Sequence, residues 1–243
     1  MELISAKKVI IDQLQKDILL LQGFKPEGSH SSGMISLPSI EASFPNSVFP
    51  TGAIHEFINE IPEHGAASGG FIAGLLKSLM LNGGSCLWIS ASRTLFPPAL
   101  KLFGVAPDRI IFIDLKKEKD VLWALEEALK CEGLAAVIAE VSDINLTQSR
   151  RLQLTVEKSG VTGLLIRNNI QKIATSACVA RWQIKPLISE LEDGMPGVGF
   201  PRWKVKLLKV KNGSPGSWDI EWSDNKFNLI QYEEAVLEKL KVG

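Results

Sequence analysis

The sequence predicts an α/β fold: a mostly parallel sheet with helices on both faces and a C-terminal antiparallel hairpin. Three observations predict it. From residue 54 to residue 166, short apolar runs alternate with helical stretches, as in strands joined by crossover helices. Some of the runs are almost wholly apolar, Cys86–Ala91 above all, as strands covered on both faces are. After residue 170 the helices cease, and extended runs meet at Asn212-Gly213-Ser214-Pro215-Gly216, a turn that joins antiparallel strands.

Taken in order, residues 5–22 place Val9, Ile10, Leu14, Ile18 and Leu21 at helical spacing, with lysines and acids between. This predicts an amphipathic helix ended by Gly23 and Pro26. Residues 27–36 are rich in glycine and serine and read as a mobile linker. The expected organisation is a helix at 1–26, a linker at 27–49, a core at 50–222 and a helical tail at 223–243, centred on Tyr232–Leu240. Inside the core, Ile54–Ile58 reads as a strand and Ser68–Leu81 as a helix. Cys86–Ala91 reads as a buried strand, and Leu95–Phe103 as a helix opened by Pro97 and Pro98 and stopped by Gly104. Arg109–Leu115 is an expected strand, followed by a helix over Glu118–Cys131 with Val121, Leu122, Leu125 and Leu129 as its apolar positions. Ala135–Val141 and Val161–Ile166 are expected strands on either side of a helix over Asn145–Ser159, which Gly160 closes. Parallel strands so connected require right-handed crossovers. Ala177–Pro186, Arg202–Lys211 and Trp218–Trp222 complete the set as strands, with a Gly/Pro-rich linker over 189–201.

The chain of 243 residues carries 27 basic and 27 acidic residues, so its total charge points to neither nucleic acid nor membrane. Cys86, Cys131 and Cys178 lie far apart in apolar stretches and read as buried, reduced thiols of a cytoplasmic protein. They form no metal-ligand spacing with His30, His55 or His64, so no metal is expected. The opening Met-Glu-Leu-Ile has no basic start followed by an apolar run, and no signal peptide is expected. No apolar run reaches the roughly 18 residues of a membrane span.

The first strand–helix unit is where a phosphate loop would stand. A working loop reads GxxxxGK[ST]: its glycines let backbone N–H groups curl round phosphates, its lysine neutralises them and its hydroxyl holds magnesium. Gly65 and Gly70 stand at the required spacing, but Phe71 replaces the lysine and Ile72 the hydroxyl. Glycines alone are also what a tight strand-to-helix turn needs, so no nucleotide or other cofactor is expected here.

From this point the sequence resembles the RecA recombinase family, with its P-loop NTPase-type core, over residues 50–222. Cys86-Leu-Trp-Ile-Ser-Ala-Ser-Arg93 and Phe96 to Val105 are similar to the strand bearing that family's catalytic glutamate and the helix ending in Leu-Gly-Val. The family closes this strand with Ala-Glu, and Ala91-Ser92 stands here. Leu134 to Val141 resembles the strand that ends in a magnesium-binding aspartate, with Glu140 in its place. Val161–Asn168 and Arg202–Lys211 resemble the next strand and the late antiparallel pair. Ser92 cannot act as general base, so the resemblance implies a RecA-like protein with no catalytic residues.

Within that superfamily the chain resembles the ImuA family. The similar segments are Pro50 to Phe57, Arg150-Arg151-Leu152-Gln153-Leu154, Pro201-Arg202-Trp203-Lys204-Val205 and Gly216-Ser217-Trp218-Asp219-Ile220-Glu221-Trp222. This resemblance implies support of translesion synthesis in the SOS response to DNA damage. The implied partners are an inactive Y-family polymerase homologue (ImuB) and an error-prone replicative-type polymerase, with RecA and single-stranded DNA as further candidates. An SOS cell-division inhibitor of the SulA type and an active RecA-type DNA-dependent ATPase are the alternatives. The N-terminal helix either packs on its own domain or docks on another copy or a partner's groove.

Residues 150–211 hold 12 basic and 4 acidic residues, a local excess that suits phosphates or an acidic partner. Arg202, Lys204 and Lys206 share one face of their strand, and Trp203, Val205 and Leu207 share the other. Leu207-Leu208 breaks the alternation, which predicts a bulge or a change of buried face. With Arg150, Arg151, Lys209 and Lys211, these cations are the candidate DNA- or partner-binding residues. A solvated charged face is the plainer reading of the same residues. Trp203, Trp218 and Trp222 either stack on bases or cover the apolar face of a hairpin.

Overall fold

The computed structural model describes residues 35–37, 39–92, 95–168, 173–190 and 197–231, with the helical positions Lys7, Ile10, Ile11, Gln13, Leu14, Asp17 and Ile18. Nine strands form one sheet in the order β3-β2-β4-β5-β1-β6-β7-β8-β9. They are β1 (Ile54–Asn59), β2 (Ser85–Ser90), β3 (Ile110–Asp114), β4 (Leu134–Glu140), β5 (Thr162–Asn168), β6 (Ala180–Leu187), β7 (Arg202–Val210), β8 (Gly216–Ser223) and β9 (Lys226–Leu229). The pairs from β3 to β6 are parallel, and those from β6 to β9 antiparallel. Among the described residues after position 34, the α-helices are α1 (Pro62–Leu79), α2 (Glu118–Ala128) and α3 (Leu146–Ser159).

Local chemistry places these elements. Asn145 caps α3 in a reciprocal box with Gln148, and Gly160 in the left-handed region ends it. Helix α2 opens on Glu118 and Asp120, favoured at the positive end of a helix, and turns Val121 and Leu125 to the core. The segment expected as a helix near residue 100 is a 3-10 helix, Pro97–Phe103. It runs seven residues between a Pro-Pro start and left-handed Gly104, longer than 3-10 pieces usually are.

The two faces of the sheet bury different chemistry. Under α1 lie rings: Phe57, Phe71, Trp182, Trp203, Trp222 and Phe227 form one continuous cluster. Under α2 and α3 the core is aliphatic, built from Ile54, Ile89, Val137, Leu125, Leu152 and Leu165.

Three expectations change. Of the expected linker 27–49, residues 35–37 and 39–49 belong to the core instead: Ile35, Leu37, Ile40, Phe44 and Phe49 are buried. Their apolar residues are spaced too irregularly to signal an element, yet they pack at the amino ends of β1 and β6. There Ser43 accepts a hydrogen bond from the Ser214 amide. A Cβ on Gly213 would collide with the Ser43 carbonyl, so this approach requires glycine. The core also runs past residue 222, because the Asp224-Asn225 turn adds strand β9; both turn residues have positive φ, as a two-residue hairpin needs. Helix α1 starts at Pro62, six residues before the expected Ser68. The expected helix Tyr232–Leu240 and the centre of the 189–201 linker lie outside the described residues. The bulge at Leu207-Leu208 is present: Arg181 pairs with Lys209 and Trp182 with Leu207, so Leu208 is the extra residue.

Candidate functional site

Ligand clefts in α/β sheets lie at the carboxyl ends of the strands. Here a cleft of about 960 Å³ occupies that place. Helix α1 walls it with Gly65, Ala66, Gly69, Gly70 and Ala73; Leu95, Phe96 and Phe103 stand among its other apolar lining. Trp88 and Glu140, from β2 and β4, also line it. The Trp88 indole N–H donates to Glu140 Oε1 at 3.0 Å. The other carboxyl oxygen, Oε2, is buried and has no hydrogen-bond partner among the described residues. Beside it, Ser68 Oγ donates to Asn59 Oδ1 at 2.7 Å, and Asn59 Nδ2 to Asn168 Oδ1 at 2.8 Å. This relay ties α1, β1 and β5 together.

The structure gathers Gly65, Gly70, Ser92 and Glu140 round one cleft, but not in phosphate-binding form. Only Glu60 and Ile61 separate β1 from α1, so the turn expected at Gly65–Gly70 is helix instead. Backbone N–H groups inside a helix bond to carbonyls four residues back and cannot encircle a phosphate. The expected turn residues pack as a helix because glycine and alanine fit against the sheet's end: a Cβ on Gly70 would press on Trp203 and Phe103. Phe71 and Ile72 are fully buried, and the Phe71 ring lies 5.0 Å from Phe227 and 5.7 Å from Trp182. These residues do not fit a nucleoside triphosphate with magnesium.

The candidate cations fall into separate groups. Arg202 lines the cleft but pairs with Glu190 at 2.6 Å and Glu221 at 2.7 Å; these bonds raise its pKa. Lys204 lies 3.5 Å from Asp219, its cross-strand neighbour, and Lys209 Nζ donates to the Ser176 carbonyl. Arg151 pairs with Glu126 at 2.6 Å. Arg150, Lys206 and Lys211 have no ion pair among the described residues. Trp203 and Trp222 are buried against Phe103 and Phe227, which makes them hairpin cover rather than stacking surfaces.

Two buried polar groups escaped the sequence reading. Glu56 is fully buried on β1, where Arg181 Nε donates to its Oε2 at 2.9 Å and Arg167 Nη1 lies 3.8 Å away. Arg167 and Arg181, counted above as part of a basic segment, are thus internal; charges inside otherwise apolar strands were the available signal. His55 is the second. The Trp182 indole N–H donates to His55 Nδ1 at 3.3 Å, so Nε2 carries the proton and donates to the Pro50 carbonyl at 2.7 Å. Burial lowers the His55 pKa from 6.5 to about 4. Cys86 and Cys178 are buried as expected, and burial pushes the Cys86 thiol up to about 12. Cys131 departs from expectation: α2 ends at Ala128, three residues before it, and the thiol is exposed.

Among the described residues, no helix is long and apolar enough to cross a membrane, and no cluster of three side chains could ligate a metal. No family model matches the chain. Two curated proteins, each described as Protein ImuA and coming from two strains of Caulobacter vibrioides, are 34% identical over 196 residues. The alignments cover 76% of this chain and 80% of theirs. The crystal structure of the RadB recombinase superposes with a TM-score of 0.52 at 13% identity, covering 76% of this chain and 93% of that one. At that identity the likeness is one of fold, and it bears out the expected RecA-like core.

Proposed function

This chain belongs to the ImuA family, and we propose that it is a non-catalytic RecA-like accessory protein of damage-inducible mutagenesis, acting by holding partners rather than by hydrolysing ATP. The observation that carries this reading is the continuous helix α1 through Gly65–Ile72, which leaves no loop for phosphate and buries both side chains at the lysine and hydroxyl positions. Ser92 offers no carboxylate for a water, and Glu140 is committed to Trp88 through one oxygen. A cytoplasmic setting belongs to the same proposal. The partners it calls for are an inactive Y-family polymerase homologue and an error-prone replicative-type polymerase. RecA or single-stranded DNA would meet Arg150, Lys206 and Lys211, the cations with no ion pair among the described residues.

The test is binding and hydrolysis of ATP by the purified chain with magnesium, with and without single-stranded DNA. Neither is expected. Magnesium-dependent hydrolysis that disappears in Glu140→Gln overturns the reading and makes the protein a motor or recombinase.

A further inference from the structure

Helix α1 carries four glycines within 18 residues, and glycine weakens a helix interior. Two of the four have a packing reason. A Cβ on Gly70 would lie 3.1 Å from Trp203, and one on Gly74 would lie 2.5 Å from Phe227. The other two do not: a Cβ on Gly69 would meet only Leu95, at 3.9 Å, and one on Gly65 only amide side chains at 3.5 Å or more. Both residues line the cleft, and their missing side chains widen it.

A second, independent observation points to an occupant. Glu140 is nine-tenths buried in the cleft lining, and one of its carboxyl oxygens lacks a partner among the described residues. A buried acidic oxygen without a donor is costly, and a cation or N–H group arriving from outside relieves that cost. Glu63 adds a second acid to the lining, while the one described cation there, Arg202, is already held by Glu190 and Glu221. Part of the lining is apolar and exposed. Ile61 and Phe96 flank the cleft, Phe96 at 69% exposure, and Ile188, Val198 and Phe200 project from the segment between β6 and β7 that also lines it. Exposed apolar side chains at a cleft are a mark of protein interaction sites.

We propose that this cleft docks a segment of a partner protein that inserts a bulky apolar side chain against Gly69 and Ala73 and brings a lysine or arginine to Glu140. Its acids repel anionic ligands, and its apolar wall receives a side chain of leucine or tryptophan size. The proposal rests on the reading that no nucleotide occupies the cleft, and it adds the chemistry of what does.

The test is selection of a random 12-residue peptide library on the full chain. Enriched peptides are expected to pair a large apolar residue with lysine or arginine. Filling the cleft by Gly69→Leu is expected to weaken the enriched peptides roughly tenfold or more, the equivalent of burying one apolar side chain. Its melting temperature should hold or rise, because leucine favours the helix. Glu140→Gln should erase the preference for the basic residue while leaving apolar binding intact. Absence of enrichment, selection of acidic peptides, or binders indifferent to Gly69→Leu overturns the proposal. Displacement of peptides by ATP with magnesium overturns the functional reading itself, whereas peptide failure alone leaves that reading standing.

Discussion

At the amino ends of the parallel strands, residues 35–50 lay Phe49 flat on His55 at 4.5 Å and bring Phe44 within 5.8 Å of Trp182. At the carboxyl ends, the same sheet leaves a cleft of about 960 Å³ with an unmatched carboxyl oxygen in its lining. One end is closed by rings whose polar atoms are satisfied, and the other is kept open by glycines. A nucleotide-binding sheet would keep polar groups directed at a phosphate at that open end. Here the two positions that would do so are turned into the core. The difference teaches that α1 departs from a phosphate loop not only at a lysine and a hydroxyl but in its backbone, which is helical from Pro62.

The most disruptive way to break this comparison is to restore the lysine. Phe71 contacts Phe57, Trp182, Trp203 and Phe227, so Phe71→Lys places a cation among rings. Loss of the ring and burial of the charge should together cost at least about 4 kcal/mol. Chemical denaturation followed by circular dichroism measures it. A Phe71→Lys variant of unchanged stability that binds ATP would mean that α1 can revert to a phosphate loop.

The closed end should announce itself through pH. Folded His55 has its pKa at about 4, against 6.5 when solvated. Between those values the unfolded chain binds a proton that the folded one refuses. Stability from this group is therefore whole above pH 6.5 and declines as pH falls towards 4, by up to about 3 kcal/mol. His55→Gln removes the titration and should flatten that part of the profile, though at a lower plateau. Equal slopes in the two proteins between pH 6.5 and 4 would place His55 in contact with solvent.

The far half of α1 sharpens the contrast. A Cβ at residue 74 would fall 2.5 Å from Phe227 and 2.9 Å from Trp222, both held in the hairpin strands. Gly74→Ala should lower stability by about 1–2 kcal/mol, because overpacking outweighs the gain in helix propensity. A thermal melt above that of the parent would show that β8 and β9 yield easily.

Much of this was legible in the sequence because it is periodic. Apolar runs and capping residues such as Asn145 and Gly160 located the parallel strands and α3, and Asn212-Gly213 located the hairpin. The replacement of the phosphate-loop lysine and hydroxyl was legible too, since Phe71 and Ile72 stand at those positions and cannot be charged or bind metal. What was not legible depends on contacts distant in sequence. Residues 35–50 have no period, and only the β7–β8 turn and Trp182 show why they are ordered. The cleft is walled by α1, which begins at Pro62 and sets Gly65 and Gly69 in the lining, a start that the glycines themselves disguised as a turn. Arg167 and Arg181 looked like surface charge because Glu56, more than 100 residues away in sequence, is their partner.

The smallest effect bears most directly on why the open end is open. Gly65 sits in α1 with ordinary φ, and a Cβ there would meet Asn168 Oδ1 at 3.5 Å and Asn59 Nδ2 at 3.7 Å, both normal contacts. Nothing in the folded chain forbids a side chain. Gly65→Ala should therefore stabilise by about 0.5–1 kcal/mol, through helix propensity and a less flexible unfolded chain. Its thermal melt should move upward while that of Gly74→Ala moves downward, although the substitutions lie in one helix and are chemically identical. If both variants lose stability, Gly65 is held by packing like Gly74, and the open cleft is a by-product of that packing. If Gly65→Ala gains stability, the glycine is retained at a cost to the helix, and its reason lies in what enters the cleft.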